Sequence, residues 1–208
     1  MSAPHGPGKD EEFDPRAIPI RPAATVLLVR DAPLGMEVFM LRRTLSAVFA
    51  SGMYVFPGGR VDDVDGAAAI STYCSGRDDI EASALLRVPQ GGLAFWVAAI
   101  RECFEEAGVL LATHNATGQF VQFTNPAIAA RFTSARHRIH EGDLSLIDLC
   151  HEEDLTLVTG DIHYVSNWIT PLGERRRFDT KFFLARAPEA QEPLHDDKET
   201  IDSLWVRP

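Results

Sequence analysis

Several features that define other classes of protein are scarce in this sequence. It has three cysteines in 208 residues, and their odd number and spacing fit neither a disulfide framework nor a zinc site. We therefore expect reduced, buried thiols in a cytoplasmic protein. No apolar run approaches the roughly 20 residues that cross a bilayer. The first residues lack the apolar segment of a secretory signal, and the last three are no peroxisomal address.

Positive charge is also scarce. Lysine and arginine number 20 against 30 aspartates and glutamates, so the formal net charge is −10. Nucleic acids and anionic membrane surfaces bind proteins through a basic face. We therefore expect neither of them as a partner. A phosphate-bearing small molecule would have to be attracted by bound metal and a few local arginines.

Apolar residues, in contrast, are abundant enough for a full core. Hydrophobic residues make up 45% and charged residues 24% of the chain, which is typical of a globular protein. A chain of this length is most simply one domain. We expect a mobile tail at residues 1–18 and a single domain at 19–208. Within that domain, an insertion is predicted at 66–93 and a helical segment at 125–151.

One predicted helix carries most of the chemistry. The spacing predicts a helix from Leu93 to Ala107 that ends on Gly108. Its apolar residues fall on one side and three carboxylates on the opposite arc, namely those of Glu102, Glu105 and Glu106. Like charges at this spacing repel, and the end of a helix favours cations. The cluster is therefore either a solvated acidic face or the binding site of a hard divalent ion, Mg²⁺ or Mn²⁺.

The helix and a loop upstream resemble the Nudix box, G-x5-E-x7-R-E-U-x-E-E-x-G-U, where U is aliphatic. Residues 101–109 match its second half, with Cys103 at one U position. The first half is Gly59-x5-Asp65, so an aspartate stands where glutamate is usual. Between Asp65 and Arg101 lie 35 residues instead of seven. This interrupted box resembles the branch of Nudix hydrolases that includes the peroxisomal coenzyme A diphosphatase and its bacterial relatives.

The resemblance implies the Nudix fold, an α/β/α sandwich around a mixed β-sheet, with the insertion inside the box. It also implies Mg²⁺- or Mn²⁺-dependent hydrolysis of the diphosphate linkage in a nucleoside diphosphate joined to another moiety. Coenzyme A or acyl-coenzyme A leads the expected substrates, followed by ADP-ribose and NADH. The alternative is a Nudix-fold protein that binds nucleotides or regulates without catalysis. A homodimer is left open.

The resemblance further implies a set of metal ligands. Glu105 and Glu106 are the firmest of these, and Glu102 is a ligand or a nearby base. The backbone of Gly58 or Gly59 is expected to contribute to the same site, with Gly59 as the ligand and Gly58 supporting the loop. Glycines permit the close approach of backbone to helix that such a site needs.

Other residues are expected to support or complete the box. Arg101 buttresses the loop through an ion pair, and Gly108 closes the helix. Asp65 is the expected partner of Arg101, although another residue of the insertion is an alternative. The general base varies among Nudix enzymes, and Glu199 is the candidate here, with Asp197 behind it.

Arginines are the expected contacts for substrate phosphates. Arg43 and Arg60 flank the glycine loop, and three adjacent arginines precede a predicted strand: Arg175, Arg176 and Arg177. Neighbouring guanidinium groups in an acidic protein make a candidate anion site. A longer signature of coenzyme A-cleaving relatives fits at Arg43, but Val48 stands where that signature has a second arginine. A solvated face is the main expectation for the basic residues between 131 and 140, and contacts to phosphates are the alternative.

The rest of the chain shows the periodicity of strands and helices. Strands are predicted at 23–29, 37–42, 54–56, 162–170, 175–185 and 201–206, and helices at 78–86, at 125–142 and from 143 onward. Trp168 is expected to be half buried. The insertion either caps the site or is a passive surface excursion. In the Nudix fold, a helix normally covers the second face of the sheet. Here it is expected to come from residues 126–151 or from a partner subunit, or to be absent from this chain.

Overall fold

The computed structural model describes residue 14 and residues 16–45, 51–193 and 200–208. The elements are β1 Ile20–Ala32, β2 Gly35–Arg43, β3 Tyr54–Val55, β4 Gly58–Arg60, α1 Asp79–Leu86, α2 Leu93–Ala107, β5 Ala112–His114, α3 Pro126–His140, α4 Leu146–Glu153, β6 Leu155–Leu157, β7 His163–Ile169, β8 Arg177–Arg186 and β9 Thr200–Val206. The tail expected at 1–18 lies almost entirely outside the described residues. Across the described ranges, no helix has the length and apolar character needed to cross a membrane.

A seven-stranded mixed sheet forms the centre of the fold. Its order is β3-β2-β1-β8-β7, with β4 also paired to β1 and β9 to β2. The β1 and β8 strands run parallel, whereas β1 and β2 form an antiparallel hairpin in which Ala32 lies opposite Gly35. The predicted hairpin is therefore confirmed. A separate two-stranded sheet joins β5 and β6.

The α2 helix packs against one face of this sheet, mainly on β1, β4 and β8. Its apolar side is fully buried, with Trp96, Ile100, Cys103 and Ala107 inaccessible to solvent. The Trp96 ring lies 4.7 Å from the ring of Phe183 on β8, measured between centroids. The helix ends at a glycine in the left-handed conformation, with φ of 69°. Both the bounds and the buried side of this helix are confirmed.

The next two helices begin on clear capping residues. The Asn125 side chain accepts hydrogen bonds from the N–H groups of Ala127 and Ile128 at the start of α3, so the predicted start is confirmed. The predicted start of the second helix at 143 is wrong. It begins at Leu146, because the Ser145 hydroxyl accepts the N–H of Asp148 in a capping box.

Residues 126–153 lie on the α2 side of the sheet. Phe132, Ala135 and Ile139 of α3 belong to the same buried core as α2. These helices therefore do not form a layer on the opposite face. On that face, Trp168 is 70% exposed, so the expectation of half burial is wrong. The physical reason is that β7 is the edge strand and Trp168 pairs with Thr180, whose side chain points away from α2.

The insertion packs against the beginning of α2. It contains a short 3₁₀ segment, Ala68–Tyr73, and the predicted short helix, here α1. The Ser83 hydroxyl accepts the N–H of Gly92 at 2.9 Å, and a side chain at Gly92 would collide with the backbone of Ser83. Ile70, Ala82 and Leu86 of the insertion are buried in the same core as α2, so the insertion is not a passive surface excursion.

Candidate active site

Arg101 is the centre of the site and is only 7% exposed. Its guanidinium makes a two-pronged contact with Asp65, with Nε to Oδ1 at 2.9 Å and Nη2 to Oδ2 at 3.0 Å. Nη2 also donates to the backbone carbonyl of Arg60 at 2.8 Å. Such fork-shaped contacts fix both position and orientation of the arginine. The structure thus places Asp65 against Arg101, although the two are 36 positions apart.

A tight turn presents the Asp65 carboxylate. Residues Asp63–Gly66 form one 3₁₀ turn before which Asp62 acts as the cap. The N–H of Asp62 donates to the Asp65 carboxylate at 2.9 Å, and the N–H of Asp65 donates back to the Asp62 carbonyl at 3.0 Å. Asp65 is 1% exposed. This local hydrogen bonding lets a shorter aspartate hold the arginine where the family pattern has glutamate.

Arg101 also holds two of the three helix carboxylates. Its Nη1 donates to Glu102 Oε1 and to Glu105 Oε1, both at 3.0 Å. The side chains of these glutamates are 13% and 12% exposed. Burial raises the pKa of Glu102 to about 7, with Arg101 opposing this shift and the charge of Glu105 adding to it. One cation therefore offsets much of the repulsion within the acidic cluster.

The third carboxylate is held by the glycine loop. Glu106 is 6% exposed, and its Oε2 accepts the N–H of Gly58 at 2.9 Å. A Cβ at Gly59 would collide with the carboxylate of Glu102, and one at Gly58 would collide with the backbone of β1. Only glycine lets β4 approach the helix this closely. The loop and the three glutamates therefore form one packed unit.

The donor set suits a hard divalent cation. Three carboxylates and the backbone of a loop supply only oxygen atoms, which Mg²⁺ and Mn²⁺ prefer. In the part of the chain that the structure describes, no three acidic, histidine or cysteine side chains converge as a metal site. Here Arg101 lies between Glu102 and Glu105, so a cation would share these carboxylates with the guanidinium. The metal ligands, Gly59 included, stay a prediction.

Charged side chains from two other segments hold the ends of α2. Asp79, at the start of α1, accepts the N–H groups of Gly91 and Leu93, each at 3.0 Å. At the other end, Arg136 of α3 donates to the backbone carbonyls of Glu105 and Glu106 at 2.8 and 2.9 Å. Both side chains form hydrogen bonds with backbone groups that a helix end leaves unpaired, and their charges complement the helix dipole.

Sequence reasoning missed both of these contacts. Arg136 was expected in a solvated face, and that expectation is wrong because α3 turns this side chain onto α2. Its helical spacing carries no signal of that orientation. A third residue without a sequence signal is His140, whose Nδ1 lies 3.7 Å from Glu105 Oε2.

The arginines expected to bind phosphates occupy different surroundings. The Arg60 guanidinium lies 3.4 Å from Asp62 Oδ1, and Arg43 ends β2 opposite Thr200. The strand predicted at 175–185 begins at Arg177, whose Nε donates to the Thr170 carbonyl at 3.0 Å. The preceding two, Arg175 and Arg176, lie exposed in the turn. Their contribution to substrate binding stays a prediction.

Some of the sequence predictions fall on residues that the structure does not describe. Glu199 and Asp197, the candidates for the general base, lie outside the described residues. So does Val48, at the position of the second signature arginine.

Comparison with known proteins identifies the family. A family profile of the NUDT19 Nudix domain matches residues 71–208. The chain belongs to the NUDT19 Nudix domain family. A crystal structure of a NUDIX hydrolase from Alicyclobacillus acidocaldarius superimposes with a TM-score of 0.72 and 26% identity, covering 91% of this chain and 80% of the other. The predicted family and the Nudix α/β fold with its mixed sheet are thereby confirmed.

Several curated relatives share one name. The chain is 29% identical to acyl-coenzyme A diphosphatase NUDT19 of Gallus gallus, covering 94% of this chain and 63% of the relative. For the Homo sapiens protein of that name, identity is 29% and the coverages are 84% and 54%. Putative nudix hydrolase 7 of Caenorhabditis elegans is 30% identical, with coverages of 90% and 52%. The chain thus spans between about half and two thirds of the length of these relatives.

Proposed function

We propose that this Nudix domain hydrolyses the diphosphate linkage of coenzyme A or acyl-coenzyme A in the presence of Mg²⁺ or Mn²⁺. The products would be 3′,5′-ADP and a 4′-phosphopantetheine. The observation that carries the proposal is the Arg101 network, which gathers Asp65, Glu102 and Glu105 around one guanidinium. The choice of substrate is supported by the relatives named acyl-coenzyme A diphosphatase.

A diphosphate linkage is inert at neutral pH because its negative oxygens repel an incoming hydroxide. A cation held by Glu102, Glu105 and Glu106 would neutralise those oxygens and activate a water. The chain's own contribution is to fix the carboxylates before substrate binds. Arg101 sets the spacing of Glu102 and Glu105, and the Gly58 N–H orients Glu106. Supporting contacts of this kind hold ligands in productive geometry.

Glu199 remains our candidate for the group that takes the proton from the attacking water. Turnover of ADP-ribose or NADH, and a role in nucleotide binding without catalysis, are the competing functions. The retained carboxylates argue against the last, because a protein without catalysis would be expected to lose them first, since an unneutralised cluster of like charges repels itself. The cytoplasmic location and a homodimer stay predictions.

The test is hydrolysis of a panel of coenzyme A, acetyl-coenzyme A, ADP-ribose, NADH and diadenosine polyphosphates, with Mg²⁺ and with Mn²⁺. We expect coenzyme A compounds to turn over. We expect Glu105→Gln to keep the fold and to lower kcat by about 10³ or more, because it removes a ligand used in the transition state. The measurement is phosphate release coupled to phosphatase at saturating substrate and metal.

The matched control is Glu152→Gln, the same chemical change on the exposed surface of α4, which should leave kcat unchanged. A loss of less than tenfold in Glu105→Gln at saturating Mg²⁺ would contradict the site assignment. A folded protein that binds one of these nucleotides but hydrolyses none would favour the binding function instead.

A further inference from the structure

A cavity of about 330 Å³ lies directly beside the acidic cluster. Along one wall run Val97, Arg101 and Glu105 of α2, which are spaced four residues apart and so share one side of the helix. The opposite walls come from the Asp63–Gly66 turn, from the 3₁₀ segment of the insertion, and from the link between α3 and α4. The Glu105 end of the cavity therefore adjoins the acidic cluster.

The walls of this cavity combine aliphatic side chains with polar ones such as Glu141 and Ser145. Ile70 comes from the insertion, Leu144 from the α3–α4 link, and Ile147 from the first turn of α4. Its ring is the imidazole of His140, and the described residues that line it include no phenyl, phenol or indole ring. The mixed lining suits a group that carries methyl groups beside hydroxyl and amide groups.

A second cavity, of about 460 Å³, has the contrasting composition. It lies at the end of α2 and is lined by Phe123 and Phe132, with ring centroids 5.3 Å apart, and by Arg136. Two phenyl rings beside a guanidinium line this second cavity, whereas the ring in the first cavity is the imidazole of His140. The two cavities thus differ in the part of a substrate that each could recognise.

We propose that the first cavity binds the pantetheine arm of the substrate, starting with the branched pantoyl group next to its phosphate. This inference rests on the proposed function and assigns a subsite to it. The two methyl groups of the pantoyl carbon would contact Val97 and Ile147, and carboxylates at the cavity wall, such as Glu141, can accept the hydroxyl and amide hydrogens of the arm. The insertion, through Ile70, would then take part in substrate selection.

The test uses the two half-products, which contain no diphosphate linkage and cannot be hydrolysed by the proposed reaction. Wild-type protein, Ile147→Trp and Ile80→Trp are titrated by calorimetry with 4′-phosphopantetheine and, separately, with 3′,5′-ADP, each with Mg²⁺. Ile147 is partly buried and lines the cavity, so an indole there would occupy it. Ile80 is 79% exposed on α1 and makes the matched control.

We expect Ile147→Trp to weaken the binding of 4′-phosphopantetheine at least tenfold, with 3′,5′-ADP binding unchanged. Ile80→Trp should bind both as the wild type does. Because an added indole could disturb packing, Ile147→Ala is the second variant. It should lower the affinity for 4′-phosphopantetheine about fourfold for each buried methylene contact that it removes.

The subsite is wrong if the wild type does not bind 4′-phosphopantetheine or if both Ile147 variants bind it as tightly as the wild type. It is also wrong if the variants lower the affinity for 3′,5′-ADP by the same factor as the affinity for 4′-phosphopantetheine. The hydrolysis panel separates this result from the proposed function. If the wild type hydrolyses coenzyme A but Ile147→Trp binds 4′-phosphopantetheine as tightly as the wild type, the subsite is wrong and the proposed function stands. Selective loss of 4′-phosphopantetheine binding in a protein without turnover would support the subsite and overturn the hydrolase.

Discussion

At the scale of single residues, the site depends on one buried ion pair. Arg101 and Asp65 are 7% and 1% exposed and satisfy each other through two hydrogen bonds. A buried pair of this kind adds little net stability compared with apolar residues, but removing one partner strands the other charge. Asp65 should therefore matter both for folding and for the geometry of the carboxylates.

We predict that Asp65→Asn lowers the free energy of unfolding by about 1.5 to 3 kcal/mol, because Arg101 loses its two-pronged charged partner while it keeps its contacts to Glu102 and Glu105. It should also lower kcat, since Glu102 and Glu105 lose their fixed support. Urea unfolding and the coenzyme A assay measure the two effects. Asp63→Asn, an exposed neighbour in the same turn, is the control. A change below about 0.5 kcal/mol, the range of ordinary surface substitutions, would show that Asp65 is not the anchor.

The pairing of Asp65 with Arg101 shows how far the sequence can be interpreted. Motif spacing singled out both residues and the three glutamates, because a box interrupted by an insertion keeps its chemistry. The hydrogen bond from the Asp62 N–H, which orients the Asp65 side chain, depends on a turn that residue types alone do not define. The roles of Asp79 and Arg136 could not be predicted from the sequence for a similar reason, because each residue contacts an element that is distant in the chain.

At the scale of elements, α2 is held from outside at both ends. The insertion supplies an anion at the helix start through Asp79, and α3 supplies a cation at its end through Arg136. Helix secondary structure was predictable because apolar periodicity and capping residues act locally. The docking of α3 on α2 was not, because its arginines follow a helical spacing that fits a solvated face equally well.

Arg136→Gln tests this arrangement. We expect it to lower stability by about 1.5 to 3 kcal/mol, the range for hydrogen bonds to charged groups, and to speed amide hydrogen exchange in the last turn of α2. Arg138→Gln, at an exposed position of the same helix, provides the comparison. Equal exchange rates in the two variants would mean that Arg136 does not hold the helix end.

At the scale of the whole molecule, we predict that the acidic cluster couples the binding of a divalent cation to stability. The pKa of Glu102 is raised from 4.5 to about 7, first because the group is buried. Between these two values the folded protein holds more protons than the unfolded chain. Stability without metal should therefore fall as pH rises through this range. A divalent cation should reverse the trend, because it favours the ionised carboxylates.

The expected outcome is a rise in Tm on adding Mg²⁺ that is larger at about pH 7.5 than at about pH 5, since protons compete for the same oxygens. Differential scanning calorimetry with and without EDTA gives the measurement. Glu105→Gln should show a smaller rise at the higher pH. An equal Mg²⁺ effect at both pH values, or none in the wild type, would exclude this coupling between the cluster and a metal.

The long separation between Asp65 and Arg101 also bears on how this box tolerates change. Closing a flexible loop costs free energy only as the logarithm of its length, about 0.6 kcal/mol for each doubling. Lengthening the connection from seven residues to the 35 found here therefore adds only about 1.4 kcal/mol. That cost can be recovered by a single helix-capping contact such as the one Asp79 makes. A Nudix box can thus carry a folded insertion at this point at a small cost in loop closure.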